Sequence, residues 1–479
     1  MKIKHLSEPE LEFGQGGKHL DIRFGLMNYG PVDYDPMKGA RRIRVGFVGT
    51  PASIEGVLNW LTICKEGVAA KVSRYPNLFP RFPGFSPDSA YRAEIENDSR
   101  LQRSISNSAI KDLRKIGTFN DMIAAAADLY VSEARYLSEE TNVDVIVCAV
   151  PSDLVDLIDR IDPITGAKKV GIIGGWQFHD VLKAKAMAVG KPIQMVRPST
   201  YAIEKPHKKA QRGQKSTRLQ DSATIAWNFY TALYYKAHGV PWRIERRNSE
   251  LTTCHIGISF YQAADRSRVN TSMAQVFNQR GQGVIVRGPK AHVSKDDRTL
   301  HLSEGDSHQL LLNALKTYRL EHHNFPARVV IHKSSSYDES ERVGFKAAAQ
   351  KLFISSCDLT YVRESYTRLF RGGYYAPLRG TLLELDYRNL LLYTRGSVEF
   401  FATYPGLYVP MPLEIVCEDV EQSPEYLALE VLSLTKTNWN NTQFDGKWPI
   451  TLLAAKKVGS ILKHLSTSDP YQPHYGFYM

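Results

Sequence analysis

Residues 41–67, RRIRVGFVGTPASIEGVLNWLTICKEG, constrain this chain more than any other stretch. An apolar run from Val45 to Val48 meets a Gly-Thr-Pro turn, and apolar residues then recur at helical spacing at Ile54, Val57, Leu58 and Leu61. Strand, tight turn and helix in that order open an α/β unit. Residues 143–150 (VDVIVCAV) and 170–174 (VGIIG) are further short apolar runs followed by helix-like text. Continuous rather than alternating apolar character is the mark of strands buried on both faces of a parallel sheet. The reading is a doubly wound domain that extends to about residue 240.

With 479 residues, 43% of them hydrophobic, the chain can bury a core without disulfides or metals, and its length suggests two domains. The five cysteines, Cys64, Cys148, Cys254, Cys357 and Cys417, lie far apart and form neither a CxxC pair nor a zinc pattern. The start, MKIKHLSEPE, has no apolar signal core, and no run reaches membrane-span length. A reducing, cytoplasmic setting is therefore expected.

Lys and Arg exceed Asp and Glu by 61 to 50, a net +11 that favours polyanionic partners, although a basic enzyme would carry the same balance. Part of this charge is concentrated at 201–219, where Lys205, Lys208, Lys209, Arg212, Lys215 and Arg218 face a single acid, Glu204. Such a loop is either a solvated excursion or a set of phosphate contacts. The stretch 73–107, rich in Pro, Arg and aromatics, excludes a regular helix or a central strand.

The second half is also read as α/β. Residues 254–261 and 283–287 are expected as neighbouring strands, 328–332 as a third, and 307–320 as a helix crossing between the last two. Further hairpin-connected strands are expected at 381–386, 390–394 and 398–403.

Four polar residues of the first half suggest an anion site: His179, Lys183 one helical turn later, Gln194 in a strand-like run, and Lys236 near the end of the helix expected at 221–238. Side chains at i and i+4 share a helix face, and a helix start beside Gly174-Gly175 adds free N–H groups. Each residue alone has an ordinary structural reading, because a lysine on a helix usually sits in solvent. Their order is what carries weight.

That order, His179-x-x-x-Lys183, Gln194 and YKAHGVPW at 235–242, resembles the guide 5′-phosphate pocket of Argonaute MID domains. HIGISFY at 255–261, VVIHKSS at 329–335, RGGYYAPLRGT at 371–381, LLYTRGS at 391–397, LTKTNWNNTQF at 434–444 and WPITLLAAKKVGSIL at 448–462 resemble a PIWI domain. The resemblance runs from about Arg41 to the last residue, with no room for N-terminal and PAZ domains. It implies a short prokaryotic Argonaute: a Rossmann-like MID domain with an N-terminal segment over 1–240, then an RNase H-like PIWI domain over 241–479. Lys215 remains a rival to Lys236 as the fourth pocket residue.

The resemblance also carries functional expectations. Slicing PIWI domains hold two divalent ions with a carboxylate-rich tetrad. Here the first aspartate position falls on Ser259, the second on Ser334, and the closing ligand on Lys456. Two hydroxyls and an ammonium do not hold Mg²⁺ pairs, so no nuclease activity is expected. Asp265, Glu304, Asp306, Asp338 and Glu339 are the nearby acids that could substitute. At the phosphate pocket the terminal carboxylate of Met479, with Gln194, is expected to hold a structural Mg²⁺ against the guide. The implied role is a sensor: a 5′-phosphorylated RNA guide pairs with invading single-stranded DNA, and an APAZ-containing partner with a sirtuin-like or TIR domain then consumes NAD⁺. The alternatives are a guided nuclease with non-standard ligands and a plain RNA-binding module.

Overall fold

The computed structural model describes residues 1–159, 176–202, 221–245, 251–264, 269–277, 283–373, 376–404, 406, 409–444, 446–466 and 468–479. The 41–67 stretch folds as its pattern dictates. Strand Arg41–Gly49 runs into helix Pro51–Lys65, whose N-cap Thr50 accepts a hydrogen bond from Ser53 N–H and whose first position is proline. Parallel strands flank this one: Ala93–Glu96 and Gln102–Ser104 on one side, Val145–Ala149 and then Ile193–Val196 on the other. Every residue of Val145–Ala149 is buried, because helices cover both faces of the sheet. The irregular 73–107 stretch thus supplies two short strands to the sheet's edge. The run expected at 170–174 lies outside the described residues.

The second half is built on a nine-stranded sheet. Its spatial order is Lys2–His5, Thr381–Glu384, Asn389–Leu392, Leu413–Asp419, Ser356–Glu364, Arg328–Lys333, Thr253–Gln262, Val269–Phe277 and Gly283–Lys290. The three strands Ser356–Glu364, Arg328–Lys333 and Thr253–Gln262 are parallel, and the remaining pairings are antiparallel. Helices Glu304–His322 and Glu339–Lys351 cover one face, and helix Ile450–Leu462 crosses the other.

Two expectations need correction. Strands Thr253–Gln262 and Gly283–Lys290 are not neighbours, because Val269–Phe277 lies between and pairs with both. Its sequence, VNTSMAQVF, alternates apolar and polar residues too weakly to read as a strand alone. Residues 398–403 form no strand: one bridge joins Val398 to Thr403 around a 3₁₀ turn at Glu399–Phe401, where Phe401 packs into a small aromatic cluster with Phe444. The expected division at residue 240 follows chain order, whereas strand Lys2–His5 lies on the far edge of the second sheet.

The two halves share one core. Trp227 and Trp242, with Trp439, Tyr475 and Tyr478 from the end of the chain, belong to the same buried cluster. The indole of Trp242 donates to the Lys436 carbonyl at 2.9 Å, and that of Trp439 to the Trp242 carbonyl at 3.2 Å. All five cysteines are free and buried, and among the described residues no helix is long and apolar enough to cross a membrane.

Helix Ile450–Leu462 approaches strand Thr253–Gln262 so closely that a Cβ at Gly257 would lie 2.1 Å from the Thr451 carbonyl oxygen. Gly257→Ala should therefore push the helix off the sheet and lower the thermal midpoint by the equivalent of about 1–3 kcal/mol. Gly305→Ala, in open space near the start of helix Glu304–His322, should leave it unchanged or slightly raised.

Candidate functional site

Strand Ile193–Val196 is the outer strand of the first sheet, and two lysines converge on its first carbonyl. Lys183 projects from helix Phe178–Lys185, and Lys236 is the last residue of helix Ser222–Lys236, capped at its start by Asp221. Lys183 Nζ lies 3.3 Å and Lys236 Nζ 3.1 Å from the Ile193 carbonyl oxygen. Lys183 also donates to the main-chain oxygens of Phe477, at 3.2 Å, and of Met479. Lys236 also donates to the side-chain oxygen of Gln194. Both lysines are buried, at 2% and 1% exposure.

Among the described residues no carboxylate side chain pairs with either ammonium. Two ammoniums in one buried site cost several kcal/mol unless something compensates, and their acceptors here are main-chain and amide oxygens, that of Met479 among them. Burial pulls Lys236 down to about 7, and burial together with Lys236 and Lys457 pushes Lys183 well below the usual lysine range. A bound anion would favour the protonated form of both lysines.

His179 stands one turn before Lys183 on the same helix, with Nδ1 3.0 Å from Asp180 Oδ1. Lys457, from helix Ile450–Leu462, donates to that same oxygen at 2.7 Å and lies 3.3 Å from His179 Nδ1. Enclosure of the ring, with Lys183 and Lys457 nearby, holds His179 at about 4 against the pull of Asp180. His179 is therefore neutral near pH 7, and burial works against the charged form of both pocket lysines as well. Beside Gln194 a cavity of about 290 Å³ opens, lined by Ser199, Thr200, Asn228, Phe229 and Asn440 among others.

His179, Lys183, Gln194 and Lys236 are thus brought to one end of the first sheet. Met479 joins them through Lys183 rather than directly through Gln194. Lys205, Lys208, Lys209, Arg212, Lys215 and Gly174-Gly175 lie outside the described residues. Sequence reasoning missed Lys457, which reaches the pocket from the other half of the chain. Its signal was the adjacent Lys456, which is exposed while Lys457 turns inward.

In the second sheet, Ile258 is paired with Lys333, so Ser259, within strand Thr253–Gln262, stands level with Ser334, just past the end of strand Arg328–Lys333. Ser259 is buried and Ser334 exposed, with Ser334 N–H donating to the Ile258 carbonyl at 3.2 Å. The nearby acids have other partners. Asp306 accepts from the Ser303 hydroxyl, Asp338 caps helix Glu339–Lys351, and Glu339 pairs with Arg342, while Glu304 is exposed at a helix start. Asp265 lies outside the described residues. His301, Asp338 and Glu341 have ligand atoms close enough to share a metal ion. The buried ammonium of Lys333 already sits there, 2.5 Å from Glu341 Oε2 and 2.7 Å from the Ser336 carbonyl. It supplies internally the positive charge such a cluster calls for.

No protein-family model matches the sequence, and no curated protein does. Solved structures do match. The chain superposes over its whole length on Clostridium butyricum Argonaute bound to a guide DNA and a 19-mer target DNA, at 15% identity, with a TM-score of 0.66 and 55% of that chain covered. The chain has an Argonaute-like fold. Drosophila Piwi gives 15% identity and a TM-score of 0.61, and Aa-Ago with externally bound siRNA gives 12% and 0.57. Each superposition covers 99% of this chain and 56% of the other. The chain therefore spans about half the length of these Argonaute structures. In the Argonaute-like fold, the parallel-sheet half is the Rossmann-like MID-type unit and the nine-stranded half the RNase H-like PIWI-type unit.

The pocket's titration has a definite sign. Lys236 is near 10.5 when unfolded and about 7 when folded, so between those values the unfolded chain holds more protons and stability rises with pH. Below about 7 the lysine is charged in both states and its full burial cost is present. A bound anion favours the charged form, so binding at pH 8 should take up protons, and affinity should fall as pH rises from 7 to 9. Calorimetric titration of sulfate in two buffers of different ionisation enthalpy checks this, and the uptake should shrink in Lys236→Met to the share due to Lys183.

Proposed function

We propose that this chain is the guide-binding sensor of a prokaryotic defence complex. A 5′-phosphorylated RNA sits with its phosphate between Lys183 and Lys236, and the guide then pairs with complementary single-stranded DNA. The observation that carries this reading is the pair of buried ammoniums without a carboxylate side-chain partner, gathered around the Ile193 carbonyl. A phosphate dianion supplies the missing charge and accepts several charge-assisted hydrogen bonds. The +11 net charge favours such a partner, and the Argonaute-like fold supports guide binding.

A divalent ion at this pocket fits only in company. Its donors from the chain would be the Gln194 side-chain oxygen and the Met479 main-chain oxygen, both hard oxygens and both held by lysines here. Mg²⁺ strongly prefers anionic oxygens, which the phosphate would bring. Its contribution would be to neutralise charge between the guide's phosphates and Met479, while Lys183 and Lys236 fix the 5′ end.

Ser259, Ser334 and Lys456 at the tetrad positions favour a chain that recognises without cutting. The output then belongs to an associated protein, which we assign, from the family resemblance, to an APAZ-containing sirtuin-like or TIR NADase whose activation depletes NAD⁺. The complex would be a heterodimer that acts in the cytoplasm.

The test compares the same short RNA with a 5′-phosphate and with a 5′-hydroxyl. The phosphate form should bind more tightly, and Lys183→Ala should remove about 1.5–3 kcal/mol of that preference. Equal affinities in the unsubstituted chain would reject the pocket assignment. Ser259→Ala should change neither guide binding nor partner activation, and target DNA should remain intact in the presence of Mg²⁺.

A further inference from the structure

The stretch 365–373, SYTRLFRGG, leaves the second sheet at the end of strand Ser356–Glu364. Tyr366 is 88% and Phe370 93% exposed, four residues apart, with Arg368 and Arg371 exposed beside them. Two large aromatic rings held in water within one short loop are an unusual surface and mark an interaction site. The loop contains no acid, and among the described residues no carboxylate pairs with either arginine. The rings are also presented on an anchored turn. Ser365 N–H donates to the Pro412 carbonyl at 3.1 Å, and Leu369 N–H to the Tyr393 hydroxyl at 2.7 Å. Arg368 bonds back to the carbonyls of Tyr366 and Thr367, at 3.0 and 3.1 Å, which braces the turn.

Its location adds to its chemistry. Lys333 is paired with Tyr361 and with Ile258 across the parallel strands. The loop therefore leaves from the same end of the sheet as Ser259 and Ser334, three strands that lie side by side at roughly 5 Å spacing.

We propose that this loop is a contact for single-stranded nucleic acid, with Tyr366 and Phe370 stacking on unpaired bases and Arg368 and Arg371 meeting the flanking phosphates. Exposed aromatics interleaved with unpaired cations match the two recurring features of a strand, a π-face on every nucleotide and a charge between neighbours. An acidic protein surface could meet the same residues, but the alternation of rings with arginines along one short loop matches the regular alternation of base and phosphate along a strand more closely. The proposal deepens the guide-binding reading and rests on it for the identity of the strand.

The experiment measures binding of the full chain to one fluorescent single-stranded RNA, with 5′-phosphate and with 5′-hydroxyl, over a salt series. The double variant Tyr366→Ala/Phe370→Ala should bind both forms about tenfold or more weakly, with an unchanged ratio between them. Tyr366→Trp/Phe370→Trp should restore affinity, which loss of folding would not allow. Arg368→Ala/Arg371→Ala should reduce the salt dependence, lowering the slope of log affinity against log salt by about 1.4. The phosphate-to-hydroxyl ratio reports the lysine pocket and the absolute affinity reports the loop, so either can fail alone. Unchanged affinity and salt slope in both alanine variants would overturn the proposal and leave the face to a protein contact.

Discussion

Lys183 and Lys236 point two ammonium groups at one main-chain oxygen, and much of the architecture can be read as the means of holding them there. Neither would stay buried on its own helix. Helix Phe178–Lys185 is fixed by packing against helix Phe119–Glu140, and helix Ser222–Lys236 by the aromatic cluster around Trp227 and Tyr230. The oxygens of Gln194, Phe477 and Met479 then solvate the two charges as water would. None of them belongs to a side-chain carboxylate, and together they replace the hydration that burial removes.

A contrast elsewhere in the molecule clarifies this. Lys333 is equally buried, yet Glu341 stands 2.5 Å from it, and Arg328 is matched by Asp358 and Glu430. These cations belong to closed networks that hold strand ends and helix starts together. The two pocket lysines differ in having no such side-chain acid, and on the proposed reading that difference leaves a place for an anionic ligand.

The elements most legible in the sequence were those whose local pattern and tertiary fate agree. Thr50-Pro51 with its helical apolar spacing became a capped helix after a buried strand, and His179, Lys183, Gln194 and Lys236 did meet at one end of the sheet. Illegible features depended on distant partners. Strand Val269–Phe277 is defined by two neighbours rather than by its own alternation, and Lys2–His5 by pairing with Thr381–Glu384. Lys457 could not be told from Lys456 until the helix was docked, since a rotation of one residue decides which side chain turns inward. The aromatic loop at 365–373 was illegible as well, because exposure of Tyr366 and Phe370 is a property of the fold and not of residue type.

The bond from Lys183 to Met479 spans 296 positions. At ~5–20 residues per second, a ribosome needs roughly 15–60 s between making the lysine and making its last partner. Through that interval the parallel sheet can form around a half-built cavity in which one ammonium lacks two of its acceptors. The hydrogen bonds around Lys183 are therefore complete only once residues 477–479 have been made and have docked against it.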